Sequence, residues 1–501
     1  MNRTKIKDAL FVVIMFIAMG VEAQTLSLDS CRNMALRHNK GAQISNETLL
    51  AAQDLRKAAF TQFLPSINAA GMYMYNSKDL SVLGEDAILP VGSVGADGKF
   101  TYTMDDIVTI PYGDSRVPVN SHGQPTSNPA EFIPKHVAYL PKDALTFDMS
   151  NVFAAGIGFT QPIFMGGKIF ALYKMAKISE NVAEIAVNNS DINIMIEVDE
   201  AYWRVVSLQK KVELAREFNN LLKSTYNDVK QMFDEGIVTN SDLLKVQVKL
   251  NESEMSLTKA ENGLSLSKML LNQVCGMDMS AQDYVLEDEV ALNNETADRI
   301  DDIKQEINNR PEALMLQENV KLKQLEVDLA RSRFMPNIVA SGNYVVSNPN
   351  LFNGFDKSFN GMFSIGVGIT VPIFHFGDRI HTLNAAKHHL RVAEIERENM
   401  MEKLELQATM KQNSRNEATK QSTIATNNML NAEENLRTAQ LGFEEGIISA
   451  SDLMAAQTAW VSAKSEVIDA KINLAMTDLY LNQSLGKVKI PQIDRQTESK
   501  K

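Results

Sequence analysis

Residues 160–185 read TQPIFMGGKIFALYKMAKISENVAEI, and residues 370–395 read TVPIFHFGDRIHTLNAAKHHLRVAEI. The correspondence runs without a gap over residues 160–276 and 370–486, at a constant offset of 210 positions. Each copy predicts the same unit: an apolar strand, a long helix, a glycine turn and a returning helix. The period is far too long for a solenoid. The sequence therefore predicts an internal two-fold repeat within one intertwined body.

Two stretches predict unusually long helices. Residues 168–235 contain no glycine or proline, and neither do residues 378–441. Both are rich in helix-forming residues, and at about 1.5 Å per residue each could form a helix of roughly 100 Å. Apolar residues recur three and four positions apart, which predicts packing of helix against helix along the whole length. Shorter helices are predicted at residues 26–63, 241–275, 311–334 and 451–485.

Four apolar segments predict β-strands, and they lie at residues 66–75, 151–164, 337–346 and 361–374. In the second and fourth, large apolar side chains alternate with small or polar ones, which places the large ones on one face. These large residues are Phe153, Ile157, Phe159, Phe363, Ile365, Val367 and Ile369. The alternation and the strand length favour a face exposed to lipid, although a half-buried sheet in a soluble protein would alternate in the same way.

The segment between the first two strands, residues 76–150, holds seven of the 14 prolines, among many Gly, Asp and Ser residues. This composition predicts a long and mostly irregular loop. The equivalent segment of the second half, residues 347–360, is much shorter. Long loops on one rim of a membrane barrel normally face outside the cell, so we expect residues 76–150 to be extracellular.

Residues 1–23 are a predicted signal peptide, with three basic residues, an apolar run and a small residue, Ala23, before the expected cut. No later apolar run approaches the roughly 20 residues of a membrane-spanning helix. If the exported chain crosses a membrane, its strands must do so. Four strands cannot close a barrel, and an open sheet edge in hydrocarbon costs several kcal/mol for each unpaired backbone group. The chain must then oligomerise: two copies would supply eight strands, a barrel filled by its own side chains, and three would supply twelve, wide enough for a water-filled lumen.

Composition and motifs exclude several classes of function. The formal net charge of -12 disfavours nucleic acid as a partner. The sequence lacks a phosphate-binding Gly-x-x-x-x-Gly-Lys-Ser/Thr loop, a Gly-x-Ser-x-Gly elbow, His-Glu-x-x-His and Cys-x-x-Cys, so we expect no enzyme activity, no cofactor and no metal site. Cys31 and Cys275 are the two cysteines. In an oxidising compartment they could pair, or they could be two inert buried thiols.

Several short motifs, taken together and in order, resemble the TolC-like outer-membrane factors of efflux and type I secretion systems. The motifs are Leu64-Pro65, Met335-Pro336, Gln161-Pro162-Ile163-Phe164, Val371-Pro372-Ile373-Phe374, Asn309-Arg310-Pro311-Glu312 and the glycine turns at Gly236 and Gly446. The resemblance implies an α+β membrane protein, in which a homotrimer forms a 12-stranded β-barrel in the outer membrane with four strands per chain. A long α-helical coiled-coil barrel would continue from it across the periplasm and dock on an adaptor protein linked to an inner-membrane pump.

The two glycine turns carry most of the expected mechanism. Gly236 and Gly446 read locally as helix C-caps, and Thr239 and Ser449 read as N-caps in capping boxes with the acidic residue three positions later. The resemblance implies that the turns also contact the adaptor, through Gly236, Ile237, Val238, Gly446, Ile447 and Ile448. It further implies a periplasmic gate at Asp242, Asp452, Phe233 and Phe443. Phe443 and Ile448 replace a Tyr and an Arg of the best-known gates, which predicts a closed state held by apolar packing.

The predicted organisation begins with the signal peptide and a first repeat at 24–276, whose helical hairpin spans 167–276. A collar segment follows at 277–310, then a second repeat at 311–486 with its hairpin at 377–486, and a tail at 487–501. The expected function is a passive exit duct of a tripartite efflux system. The alternatives are the exit duct of a type I protein secretion system and a periplasmic coiled-coil adaptor or structural stalk.

Overall fold

A computed structural model of the chain describes residues 24–94, 96, 98–281, 284–286 and 303–491. The predicted signal peptide, most of the predicted collar and the end of the predicted tail lie outside the described residues. The chain divides into two compact units. One unit, Gln62–Gly166 and Met335–Ile373, contains a four-stranded sheet, and the other contains the long helices.

The helical unit contains two helices of 67 residues each, which match the two stretches without Gly or Pro. In chain order its main helices are α1 (Leu28–His38), α2 (Lys40–Thr61), α3 (Lys168–Asp234), α4 (Asn240–Cys275), α5 (Pro311–Ser332), α6 (Asp378–Glu444) and α7 (Ala450–Ser484). A single helical turn, Ile303–Glu306, precedes α5. None of the helices described here carries an apolar stretch sufficient for crossing a bilayer.

The long helices bury their apolar seams against the shorter ones. Helix α3 packs against α2 and α4, α6 packs against α7, and α5 contacts both α3 and α6. Leu404 and Ala408 of α6 meet Leu481 of α7 and Ala313 of α5 in one buried cluster. Packing of this kind, rather than intrinsic propensity, provides most of the stability of long helices in proteins.

Arg310 fixes the start of α5 to the end of α7. Its guanidinium is almost fully buried and donates to the Ser484 carbonyl at 3.3 Å and to Gln407 Oε1 at 3.0 Å. A second nitrogen donates to Glu312 Oε1 at 2.9 Å. The guanidinium therefore satisfies a backbone acceptor that a helix end leaves unpaired. The predicted turn motif that contains Arg310 is thus a structural clamp.

The single helix predicted at residues 26–63 is wrong, because the structure has α1 and α2 with a break at Asn39. The backbone of Asn39 is extended, with ψ at 135°, and its side chain donates to the Val274 carbonyl at 2.9 Å. Gly276, at positive φ, lies against His38, where a Cβ atom would approach to 2.6 Å. The break lets the end of α4 pack against the chain at Asn39, a tertiary contact that local sequence does not report.

Two smaller differences concern the ends of elements. Residues Gln24–Leu26 form a strand that pairs in parallel with Tyr284–Leu286, inside the predicted collar. Helix α6 continues through Gly442 to Glu444, although the sequence run without glycine ends at Leu441. A single glycine in a long helix costs only about 1 kcal/mol, which the packing of α6 offsets.

The sheet contains four antiparallel strands: β1 (Ser66–Tyr75), β2 (Asn151–Met165), β3 (Asn337–Asn348) and β4 (Asn360–Thr370). Their order is β4, β3, β2, β1, so β1 and β4 are the edge strands. All residues of β1 are exposed, and so are all but one of β4. Within the part of the chain that the structure describes, β1 and β4 are therefore exposed, and their outer edges are unpaired.

The predicted end of the fourth strand at residue 374 is wrong, since β4 ends at Thr370. Thr370 pairs with Asn337, the first residue of β3, so the residues after Thr370 have no further partner on that strand. In β2 the corresponding residues remain in the strand, because a register shift between Pro162 and Phe164 lets Phe164 pair with β3. The two copies thus differ at this point.

The segment at residues 76–150 is more ordered than predicted. Leu80–Ser81 pairs with Thr146–Phe147, and Ala87–Pro90 pairs with Val137–Leu140, so the pairs are nested. Inside them lie two short hairpins, Ser93–Val94 with Phe100–Thr101 and Thr109–Tyr112 with Ser115–Pro118. Strands of two to four residues are too short to show an alternating pattern, which explains why composition alone suggested an irregular loop.

Gly342 of β3 is expected to be intolerant of a larger side chain. A Cβ atom there would lie 2.3 Å from the Phe159 ring, whereas a Cβ atom at Gly366 of β4 would meet nothing within 4 Å. We expect Gly342→Val to destabilise the sheet by about 1–3 kcal/mol through overpacking and to lower the thermal unfolding midpoint. The matched Gly366→Val variant should keep the unfolding midpoint of the wild-type protein. Equal midpoints for the two variants would contradict this account.

Candidate functional site: the two helical turns

Each long helix ends in the same kind of glycine turn. Gly236 has φ 80° and Gly446 has φ 74°, in the left-handed region that favours glycine. In the first turn Gly236 N donates to Phe233 O at 2.9 Å, and Ile237 N donates to Met232 O at 2.8 Å. The second turn repeats both bonds from Gly446 and Ile447. These paired bonds define a Schellman motif, so the predicted C-caps are confirmed.

Each returning helix begins with a capping box. In the first, Thr239 Oγ1 accepts from Asp242 N at 3.3 Å, and Asp242 Oδ2 accepts from Thr239 N at 3.3 Å. In the second, Ser449 and Asp452 make the same two bonds at 3.2 Å each. The Asp carboxylates thus satisfy helix N-terminal donors. Both predicted gate carboxylates therefore already have a local structural role.

The two carboxylates differ in their charged neighbours. Lys245 Nζ lies 3.3 Å from Asp242 Oδ1, whereas the position equivalent to Lys245 in the second copy is Ala455. The hydrogen bond from the Thr239 hydroxyl, followed by that from Lys245, lowers the pKa of Asp242. The nearby cation partly offsets the charge of Asp242, so Asp452 is the carboxylate with the less compensated charge.

Apolar residues at the turns point in two directions. Ile237 is 65% exposed and Ile447 is 78% exposed, so each presents an aliphatic side chain to the surroundings. Val238 and Ile448, the next residues, are half-buried and pack inward. Of the residues predicted to contact an adaptor, the glycines and these two isoleucines therefore form the accessible part. The helix ends beside them are acidic: Asp234, Glu235, Glu444 and Glu445 are exposed.

The two turns meet over a shared apolar cluster, which we call the tip cluster. Its buried members are Leu222, Val229, Val246, Leu436, Phe443, Ala450, Leu453, Met454 and Ala456. They come from α3 and α4 of the first hairpin and from α6 and α7 of the second. Phe443 is 7% exposed inside the cluster, whereas Phe233 is only half-buried. The structure thus brings one of the two predicted gate phenylalanines into the core that joins the hairpins.

Buried polar contacts between helices were not anticipated from the sequence. Gln457 of α7 is fully buried and donates to Thr225 Oγ1 of α3 at 2.9 Å. Asn219 of α3 donates to Ser253 Oγ of α4 at 2.8 Å, also in the interior. The available signal was a polar residue in an otherwise apolar helical row, as in Leu222, Thr225 and Val229. Such a residue needs a buried partner to offset the loss of its water contacts.

Two ion pairs link the outside of the same helix pair. Lys211 Nζ of α3 lies 2.7 Å from Asp469 of α7, and Lys464 Nζ of α7 lies 2.6 Å from Glu217 of α3. All four side chains are partly exposed, and an exposed pair contributes about 0.2–1 kcal/mol. The lysine lies on α3 in one pair and on α7 in the other. The two pairs together therefore favour one alignment of α3 against α7.

The seven predicted lipid-facing residues share one face of the sheet. The register pairs Ile157 with Tyr344 and Tyr344 with Phe363, which places these three side chains on the same face. The neighbouring row joins Phe159, Gly342 and Ile365. The remaining members lie at alternate positions of the same two strands: Phe153, Val367 and Ile369. The opposite face carries small or polar residues such as Gly156, Gly158, Ser341, Asn343 and Ser364, together with some larger apolar ones such as Met72, Val345 and Met362.

The sequence matches the family of outer membrane efflux proteins over residues 127–276 and 303–487, more than half of the chain. It is 21% identical to outer membrane protein TolC of Vibrio cholerae over 342 residues, which cover 67% of this chain and 77% of TolC. It is also 21% identical to alkaline protease secretion protein AprF of Pseudomonas aeruginosa over 247 residues, which cover 48% of this chain and 50% of AprF.

The fold is similar to that of a solved bacterial outer membrane protein. The crystal structure of the outer membrane protein VceC from Vibrio cholerae superposes with a TM-score of 0.67 and covers 92% of this chain and 96% of VceC. The sequence identity is 14%. The α+β architecture, with a strand unit and long helical hairpins, is therefore shared with that protein.

The capping role of Asp242 makes the first turn sensitive to pH. Because the folded-state pKa is lowered, the charge stabilises the cap above the ordinary carboxyl pKa of about 4 and is lost as the pH falls through the lowered value. Asp242→Asn keeps an acceptor but removes the charge. We expect several-fold faster amide exchange at residues 236–246 in this variant than in wild type at neutral pH, with a difference that shrinks below about pH 4 and vanishes once the pH is below the lowered pKa of Asp242.

Asp234→Asn is the matched control, because Asp234 lies on the same turn but outside the capping box. It should leave exchange at residues 236–246 near the wild-type rate at every pH. A difference between wild type and Asp242→Asn that persists unchanged in acid would contradict the proposed charge effect.

Proposed function

The chain belongs to the outer membrane efflux protein family, as its motifs predicted, and from this premise we propose that it is the exit duct of an efflux system in the outer membrane. The observation that carries the proposal is the family match, which spans both halves of the chain. The fold shared with the outer membrane protein VceC supports it. A periplasmic adaptor or stalk role is correspondingly disfavoured.

The sheet supports a trimer with a closed barrel. Within the described residues β1 and β4 each pair on one side only, so their outer backbone groups are available to another chain. If β4 of one copy pairs with β1 of the next, three copies form a 12-stranded barrel without an open edge. The face with Phe153, Ile157, Phe363 and Ile365 would contact lipid, and the small, polar face would line an aqueous lumen.

The helical turns support a gate at the periplasmic end of the duct. Three copies of Asp452 would form a ring of negative charge, which favours cations. The tip cluster would hold the mouth closed, with Phe443 and Ile448 packing where other family gates use polar contacts. Opening would require the two hairpins to separate at this cluster. The exposed Ile237 and Ile447 would then be the contacts through which an adaptor, coupled to an inner-membrane pump, drives that change.

A second candidate is the exit duct of a type I protein secretion system. One specific observation favours it, because AprF, which the chain resembles over 247 residues, is a protein secretion component. The same barrel, tunnel and gate would serve either cargo. The match to the outer membrane efflux protein family, which spans both halves of the chain, favours efflux as the first candidate.

Conductance measurements in planar bilayers test the duct and its charge ring together. Purified wild-type trimer, whose mouth the tip cluster would hold closed for most of the time, should conduct in brief openings and should prefer cations. Asp452→Asn keeps the capping acceptor but removes three charges from the mouth, so it should weaken the cation preference. The control is Glu466→Gln, which removes an exposed carboxylate elsewhere on α7 and should keep the cation preference of the wild type. A wild-type protein that never conducts would refute the duct, whereas an unchanged preference in Asp452→Asn would refute only the ring.

Efflux assays in the native host test the turns as the adaptor contact. Ile447→Asp places a charge on the most exposed apolar residue of the turns, so it should raise drug susceptibility several-fold, towards the deletion strain, without changing bilayer conductance. Val94→Asp alters a similarly exposed residue in the 76–150 segment and should leave susceptibility at the wild-type level. Wild-type efflux by Ile447→Asp would show that this residue is not the contact.

A further inference from the structure

The two cysteines are brought together from opposite ends of the first half of the chain. Cys31 lies in the first turn of α1 and Cys275 is the last residue of α4, 244 positions later. Both side chains are 0% exposed. The sulfur of Cys275 lies 3.7 Å from the carbonyl oxygen of Cys31. The side chain of Cys275 therefore reaches the backbone of Cys31, and the interaction between the two thiols lowers the pKa of Cys31 and raises that of Cys275.

The surroundings of this pair are apolar and closed. Both cysteines belong to one buried cluster with Leu36, Tyr202 and Leu271. Among the residues that the structure describes, no group of three His, Cys, Asp or Glu side chains is placed to hold a metal ion. A metal site therefore does not account for the pairing. Two cysteines buried in one cluster, with the sulfur of one 3.7 Å from the backbone of the other, are near enough for a disulfide to form with small side-chain movements.

We propose that Cys31 and Cys275 are joined by a disulfide bond in the exported protein. The inference rests on the proposed function, because an outer-membrane location takes the chain through an oxidising compartment where disulfides form and persist. The bond would close a loop of more than 240 residues. Long loops are those in which a cross-link most restricts the unfolded chain.

Formation of the disulfide requires a two-electron oxidant. A protein or small molecule that itself carries a disulfide would serve, because that disulfide is reduced to two thiols. The thiolate of one cysteine attacks a sulfur of the oxidant's disulfide, which forms a mixed disulfide and releases one oxidant thiolate. The thiolate of the second cysteine then attacks the mixed disulfide at the cysteine sulfur and releases the other. Two electrons pass to the oxidant, whose two sulfurs take up the two protons. Because both sulfurs are inaccessible in the folded chain, the reaction precedes closure of their cluster.

The bond would anchor the first hairpin but not the second. Helix α4 runs from the glycine turn to Cys275, so the disulfide would lie at the end of α4 away from the turn. It would tie that end to α1 and to the adjoining strand pair, Gln24–Leu26 with Tyr284–Leu286. The residue equivalent to Cys275 in the second copy is Leu485. The second hairpin would keep only non-covalent contacts at this end.

Thiol counting on the exported full-length chain tests the proposal. Outer membranes are isolated with free thiols blocked at lysis by a small maleimide, and the protein is then denatured and treated with a maleimide of high mass, with or without prior reduction. The wild-type chain should gain two mass additions after reduction. Blocking after denaturation but without reduction should capture no thiol, and peptide mass spectrometry should find Cys31 linked to Cys275.

Single and double variants make the outcome decisive. Cys31→Ser and Cys275→Ser should each expose one free thiol after denaturation without reduction, and the double variant should give no addition in any arm. Two free thiols in wild-type protein from the outer membrane would overturn the disulfide and leave the exit duct standing. Peptides linking either cysteine to another molecule would also overturn it. A chain that never reaches the outer membrane would overturn the proposed function, and the disulfide with it.

Discussion

Backbone hydrogen bonding at the two open edges of the sheet constrains the rest of this molecule. Strands β1 and β4 each present a row of outward N–H and C=O groups that the described part of the chain does not pair. Lipid cannot satisfy such groups. A copy of the same chain can, because the free edges of an antiparallel sheet with an even number of strands are complementary. The threefold assembly proposed for the barrel would then also set the number of long helices in the assembly.

Local patterns in the sequence predicted those elements whose cause is local. The long helices follow from residues 168–235 and 378–441, which lack helix breakers, and the turns follow from Gly236 and Gly446. The capping boxes at Thr239 and Ser449 were likewise readable from residue spacing. In each case the residues that determine the structure are neighbours in sequence, so one segment contains the whole physical reason.

Features that depend on distant partners were not predictable in this way. The break at Asn39 exists because its side chain reaches Val274, more than 200 positions away. The nested strand pairs in residues 76–150 depend on registers between segments of two to four residues. At the candidate site, the contact of Gln457 with Thr225 joins the two halves of the chain. A polar residue in an apolar row indicates that a partner exists but does not identify it.

The buried bond between Gln457 and Thr225 has a consequence for how the hairpins can move. If α7 slid along α3 by one helical turn, the buried Gln457 amide would lose its acceptor, whereas the Thr225 hydroxyl would keep its bond to the Leu221 carbonyl. A rotation of the two helices about this contact, or a change in the angle between them, would keep the hydrogen bond. Sliding of α7 along α3 therefore costs more free energy than rotation of the two helices about the contact of Gln457 with Thr225. The contact thus acts as a hinge point between the two hairpins.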